Sequence, residues 1–295
     1  MNDFILSAES TVDLPFARMK ARNIPIIFYT YSIGTVVFED DMCRTKGERD
    51  EFYKKLKGGA KPVTSQINTA TYVDYFTDLL NKENKPILHI AFGSGMSGSV
   101  FNAIEAAKEL NATHENKVVV LDSYCSSSGY GMLVEYAADL RDEGKTMDEV
   151  KCWVENNAKK IHHRFFCTDL TFFRRSGRVK AITSLIGTFL GICPLMKLDE
   201  NGKIIAFGKI RGKRKAIESV VDFMSEAAEN GLDYNGKCFI NHSNCPEIAL
   251  LAKEKIEERF PNIKGKIEIF DIGAVVSSHC GPDVTAVYFL GEERN

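Results

Sequence analysis

Ile87-Leu88-His89-Ile90-Ala91-Phe92, followed at once by Gly93-Ser94-Gly95-Met96-Ser97-Gly98, is the stretch that decides the fold. A short apolar run that breaks into a glycine-rich loop reads as a buried strand ending at a turn. Behind the loop, Val100, Ala103, Ile104, Ala107 and Leu110 fall on one helical stripe, and 118–121 reads as a β-branched strand ending at Asp122-Ser123. Strand, loop, helix and strand form a βαβ unit, which calls for a parallel sheet covered by helices. Upstream, strands are expected at 3–7 and 24–31 and a helix at 69–80, where Tyr72, Tyr75, Phe76, Leu79 and Leu80 keep helical spacing. Downstream, a helix carries Leu133, Tyr136, Ala137 and Leu140. Asp142-Glu143-Gly144-Lys145 interrupts the pattern, and a helix over 147–161 bridges to the second half. There, strands are expected at 185–194, 202–209, 237–241, 266–270, 272–276 and 285–290, with helices at 215–228 and 246–259. The expected fold class is α/β with two domains. Residues 1–155 form an N-terminal domain with a mostly parallel open sheet and helices on both faces, and 156–295 form a C-terminal α+β domain.

Composition narrows the function. The 295 residues are 44% hydrophobic and 26% charged, an ordinary globular balance, and such a chain buries a core without disulfide staples. A net charge of −2 offers no general attraction to nucleic acid. No apolar run approaches the roughly 20 residues of a membrane span. Met1-Asn2-Asp3-Phe4 lacks the basic start of a secretory signal. Eight scattered cysteines without a CxxC pair fit a reducing compartment, so a cytoplasmic protein is expected. Charge is uneven: 174–215 holds eleven basic and two acidic residues, +9, while the remainder, with 27 basic and 38 acidic, carries −11. That segment is a solvated face or a docking face for an acidic partner, with nucleic acid a weaker third reading because no recognisable binding motif accompanies the charge.

Gly93, Gly95 and Gly98 match GxGxxG between a strand and a helix, and Asp122 ends the next strand, as in a dinucleotide fingerprint. The loop also carries Ser94 and Ser97, whose hydroxyls suit a smaller anion such as a carboxylate. Thr64-Ser65-Gln66 precedes a helix. It is an ordinary N-cap turn or a second pair of hydroxyls on the rim that Ser94 faces. His279-Cys280-Gly281-Pro282 is expected to join two strands, with His279 either a hydrogen-bond donor to a ligand or a structural histidine. Cys238, His242 and Cys245 lack a fourth ligand nearby, so no metal is expected. No P-loop, GxSxG or HExxH motif is present. The motifs favour recognition of a carboxylate or phospho group over bond-making chemistry.

Seven short elements together resemble the DegV family. They are Glu9-Ser10-Thr11-Val12-Asp13-Leu14-Pro15, Thr64-Ser65-Gln66, Ser94-Gly95-Met96-Ser97-Gly98-Ser99, Asp122-Ser123 with Ser127-x-Gly129-x-Gly131, Arg174-Arg175-Ser176-Gly177-Arg178, Lys209-x-Arg211-Gly212 and His279-x-Gly281-Pro282. They run in family order from residue 9 to residue 283. The resemblance implies two α/β domains with a long-chain fatty acid in an interdomain tunnel, its carboxylate held by Thr64, Ser94 and His279 with Ser65 and Ser97 close by. It implies a binding subunit without a cofactor, which presents the carboxylate to a separate ATP-dependent fatty acid kinase. Arg174 and Arg211 belong to the basic region that meets this partner. The alternative is a nucleotide- or dinucleotide-dependent enzyme using the Gly93–Gly98 loop. Glu9, Ile67-Asn68, Ser176 and Asp283 depart from the family pattern, and Asp283 is expected to put a negative charge near His279 and raise its pKa.

Overall fold

A computed structural model of the chain describes residues 3–45, 47–180 and 191–295. The deciding strand is β6 (Ile87–Ala91), buried along its length. It is numbered after β1 (Ile5–Glu9), α1 (Phe16–Ala21), β2 (Ile26–Ile27), β3 (Thr30–Ile33), β4 (Val36–Glu39), α2 (Glu48–Lys57), β5 (Val63–Ser65) and α3 (Thr69–Glu83). After it come α4 (Ser99–Asn111), β7 (Val118–Asp122), α5 (Ser127–Asp142) and α6 (Met147–Asn157). β6 pairs parallel with β1 on one side and β7 on the other, in the order β2-β1-β6-β7. Successive strand residues face opposite sides. Ile5, Ile87 and Val118 pack with Tyr72 and Phe76 of α3 and Ala103 and Leu110 of α4. Leu6, Leu88 and Ile90 join Met132 and Leu133 of α5 in the other core. Helices therefore cover both faces, as expected.

The second half builds a mixed seven-stranded sheet. Its elements are β8 (Ile161–Phe166), α7 (Thr171–Ser176), β9 (Val179–Lys180), β10 (Ile192–Leu198), β11 (Ile204–Arg211), α8 (Lys213–Ala227), β12 (Cys238–His242), α9 (Pro246–Arg259), β13 (Glu268–Asp271), α10 (Ala274–Cys280) and β14 (Thr285–Leu290). The strand order is β13-β12-β14-β8-β10-β11-β9. β3, β4 and β5 form a separate three-stranded antiparallel sheet. α5 lies between the two large sheets, touching β1 as well as β8, β12 and β14. A helix enclosed on all sides needs small residues where backbones approach. A Cβ on Gly129 would sit 2.3 Å from His163 Nε2, and one on Gly131 2.6 Å from the Val12 carbonyl oxygen. Arg18 of α1 ties the halves together, with both Glu135 of α5 and Glu268 of β13 accepting from its guanidinium.

Several expectations need correction. The run at 272–276 is not a strand. Gly273 starts α10 in its place, and Val275, Ser277 and Cys280 turn inward. Packing against α7 and β3 overrides the β preference of Val275-Val276. His279 therefore sits on a helix, not between two strands. The single strand expected at 24–31 divides into β2, in the parallel sheet, and β3, in the small one. The bridging helix stops at Asn157, and Ile161 opens β8, an interior strand of the second sheet. His162, His163 and Arg164 gave that strand a polar appearance, although all three are buried. Of the strand expected at 185–194, residues 185–190 lie outside the described residues.

Candidate functional site

The loop after β6 is closed by the protein itself. A Cβ on Gly95 would meet the Gly202 carbonyl oxygen at 2.3 Å, and one on Gly93 the Cys125 carbonyl oxygen at 2.7 Å. These glycines serve close approach between chain segments, and the Asp199–Gly202 turn between β10 and β11 occupies the space above Gly95. The Asp122 carboxylate accepts the N–H groups of Ser94 (3.1 Å) and Tyr124 (2.8 Å). It clasps its own loop, where a dinucleotide site would hold the acid ready for a ribose hydroxyl.

Beside this loop lies a cleft lined from both halves of the chain. Thr64 and Ser65 from β5, Tyr29 and Ser97 contribute hydroxyls, and His279 enters from α10. Phe92, Met96, Phe173, Ile204, Val275 and Val276 supply carbon walls. Thr64 Oγ1 is 2.8 Å from His279 Nε2. The Tyr29 hydroxyl donates to Ser97 Oγ at 3.3 Å, and Ser97 lies 3.1 Å from Ser99 Oγ. The open space is about 70 Å³.

Four of the five expected ligand-holding residues thus converge: Thr64, Ser65, Ser97 and His279. Ser94 is outside the lining, its backbone engaged with Asp122. Thr64 and Ser65 belong to a strand, not to a cap. The helix after them is capped by Asn68, whose side chain accepts from Thr71 N–H. Burial holds His279 down to about 4, helped by the positive charges of Arg178 and Arg175. The expected upward shift from Asp283 is overturned, because Asp283 is engaged elsewhere, with Lys213 and Thr168. A neutral His279 that keeps its proton on Nε2 donates to Thr64 and frees the Thr64 hydroxyl to donate onward.

Arg174 and Arg211 are exposed, away from the cleft lining, and have no ion-pair partner among the described residues. The cation at the cleft is Arg178. Sequence reading placed Arg178 in the basic run without separating it from its neighbours. Tyr29 was read only as part of an apolar strand, and nothing local marks its hydroxyl as part of a site. Cys238, His242 and Cys245 do not converge: His242 faces Asp271 at 3.5 Å, and Cys245 Sγ donates to the Val284 carbonyl. No cluster of metal-ligating side chains occurs among the described residues. No helix among them is long and apolar enough to cross a membrane.

The departure at Glu9 has a structural account. Glu9 is fully buried, and its carboxylate accepts from the Tyr72 hydroxyl (2.6 Å) and from Phe92 N–H (3.0 Å). It anchors the end of β6 immediately before the cleft loop.

Fold and cleft together define an α/β protein of two large sheets and one small one, with hydroxyls and a neutral histidine in a cleft with carbon walls. The chain belongs to the DegV family: residues 5–292 match the family model described as "Uncharacterised protein, DegV family". A DegV domain-containing protein of Clostridium perfringens is 31% identical over 295 residues, covering 100% of this chain and 99% of the relative. Two solved structures share the fold. A fatty-acid-binding DegV family protein from Thermus thermophilus superposes with TM-score 0.85 at 23% identity, covering 98% of this chain and 100% of that one. DegV of Bacillus subtilis, described as a fatty acid binding protein, gives TM-score 0.83 at 22% identity over 99% of this chain and 100% of the other.

Proposed function

We propose that this protein binds a long-chain fatty acid with its carboxylate at Thr64, Ser65, Ser97 and His279, and that Ser94 acts through the loop rather than by touching the ligand. The observation that carries this reading is the Thr64–His279 pair, 2.8 Å apart in the wall of a cleft otherwise lined largely by carbon. Neutral donors orient a carboxylate without leaving a buried cation unpaired when the ligand is gone. Affinity comes from the acyl chain: at about 0.8 kcal/mol per methylene, about 14 methylenes give roughly 11 kcal/mol of gross burial. A space of about 70 Å³ takes a carboxyl group but not a long chain. Uptake on this reading separates Phe173, Ile204 and Val276 from the opposing wall and opens a tunnel between the halves. The carboxyl end stays reachable for a separate ATP-dependent kinase, and the protein itself supplies no catalytic group or cofactor.

Denaturing extraction followed by mass spectrometry is expected to release a stoichiometric fatty acid. His279→Ala is expected to weaken retention by about tenfold or more, the scale of one charge-assisted hydrogen bond. Release of a nucleotide, or of nothing, sinks the reading. Docking is tested separately. Charge reversal of the exposed Arg174 and Arg211 to Glu is expected to lower acyl phosphorylation by a cognate kinase several-fold while leaving lipid retention unchanged. Loss of lipid in the same variant would place these residues in the ligand site instead.

A further inference from the structure

Arg164 is a buried cation without a polar partner among the described residues. It lies on β8, in the interior of the second sheet, and is 7% exposed. Among the described residues its guanidinium has neither an ion-pair partner nor a hydrogen-bond acceptor, and Nε is fully enclosed without a partner. Its neighbours make the charge harder to hold. Lys197 stands directly across on β10, and His162, two residues along β8, is kept neutral by burial. Glu226 is the acid that acts on it, too distant for an ion pair. Nε thus gives up its hydration with no acceptor in return, while the two terminal nitrogens keep access to solvent.

The surroundings specify what would complete it. The guanidinium carbon lies 3.2 Å from the Phe223 ring centroid and 4.9 Å from that of Phe207. The guanidinium carbon sits over these rings, and the N–H groups of the two terminal nitrogens have no protein acceptor among the described residues, so they are left to receive a carboxylate. Arg164 lines a pocket of about 400 Å³ between the sheet and α8, within the ordinary range for small-molecule sites. Leu195, Met196, Phe207 and Ile210 give it apolar walls, and Phe207 is 48% exposed at the rim. Glu218, Asp222 and Glu226 also line it, with Lys215 opposing them, and Asp222 is paired with Arg259 at 3.3 Å. These acids disfavour a polyanion. The pocket shares no lining residue with the Thr64–His279 cleft.

We propose that the pocket between β8, β10, β11 and α8 is a second ligand site, taking a small organic monocarboxylate with an apolar or aromatic body: the carboxylate sits on Arg164 and the body lies against Phe207 and Ile210. Phenylacetate is a direct probe, with phenethyl alcohol and inorganic phosphate as controls. Calorimetric titration of the full chain is expected to give saturable phenylacetate binding and none with either control. Arg164→Met is expected to weaken it by about tenfold or more. Should that variant fold poorly, Phe207→Ser at the exposed rim is expected to reduce affinity several-fold in a folded protein. His279→Ala is expected to leave phenylacetate binding intact. Absence of saturation, equal binding of the alcohol or phosphate, or loss in His279→Ala with none in Arg164→Met and Phe207→Ser overturns the proposal.

Discussion

Stability is expected to peak near pH 6.5 and to fall by about 1–2 kcal/mol between there and pH 8, and Asp13→Asn is expected to abolish that fall. Asp13 follows the first 3₁₀ turn and is buried at 6% exposure against Gly273, where a Cβ would lie 2.3 Å from its Oδ1. Burial first, and then the like charge of Asp40, push its carboxyl from 3.8 up to about 8. Asp40, 1% exposed, is raised by burial to about 6. A carboxyl whose folded pKa is raised binds its proton more tightly in the folded state. Its contribution is complete below the unfolded value of 3.8 and is lost as pH rises through the folded value. For Asp13 the whole displacement is worth on the order of 6 kcal/mol, at about 1.4 kcal/mol per pH unit. The buried histidines act in the opposite sense. His162 and His279 are both held down to about 4, so their contribution is lost as pH falls from 6.5 toward 4. The two effects oppose one another below pH 6.5, and above it the loss from Asp13 dominates. Urea midpoints at pH 6.5, 7, 7.5 and 8, with reductant protecting the eight thiols, measure the slope. A flat wild-type profile, or an equal slope in Asp13→Asn, would remove Asp13 as its source.

The first sheet was legible because its strands carry their instructions locally. Ile87, Leu88 and Ile90 alternate between two cores, and the glycine loop and the stripe from Val100 to Leu110 fix the crossover. The second half was harder, because tertiary burial there contradicts local chemistry. His162-His163-Arg164 reads as polar surface, yet it runs through the interior of a seven-stranded sheet. Val275-Val276 reads as a strand, yet Gly273 and the face presented by α7 make it helical. The site divides in the same way. Thr64, Ser65, Ser97 and His279 come from three short motifs far apart in the chain, and a family pattern names them without saying that Thr64 and His279 touch. Tyr29 and Arg178 reach the cleft only through the fold. Asp283 shows the converse, since it follows His279 closely in sequence but is held away by Lys213.

Arg18→Met is expected to destabilise the protein by about 3 kcal/mol, more than an ordinary surface ion pair would cost. Arg18 donates through Nη2 to Glu135 at 2.8 Å and to Glu268 at 2.9 Å, and Nε also reaches Glu135. Glu135 is the costly partner, with its side chain 1% accessible. Without the guanidinium it keeps only Lys237, 4.0 Å away. Loss of one member of a buried pair leaves the other's charge desolvated, at about 3–5 kcal/mol. Arg18 is itself 29% accessible, which places the expected loss at the lower end. The guanidinium also lies 5.4 Å from the Phe270 ring centroid, a contact that methionine partly retains. Addition of Glu135→Gln separates charge from packing. The neutral amide needs no cation, so the double variant is expected to recover at least about 1 kcal/mol of the loss. A denaturant cycle over the four proteins gives the coupling directly. An Arg18→Met loss below about 0.5 kcal/mol, or no recovery in the double variant, would mean that α1, α5 and β13 are joined by packing alone.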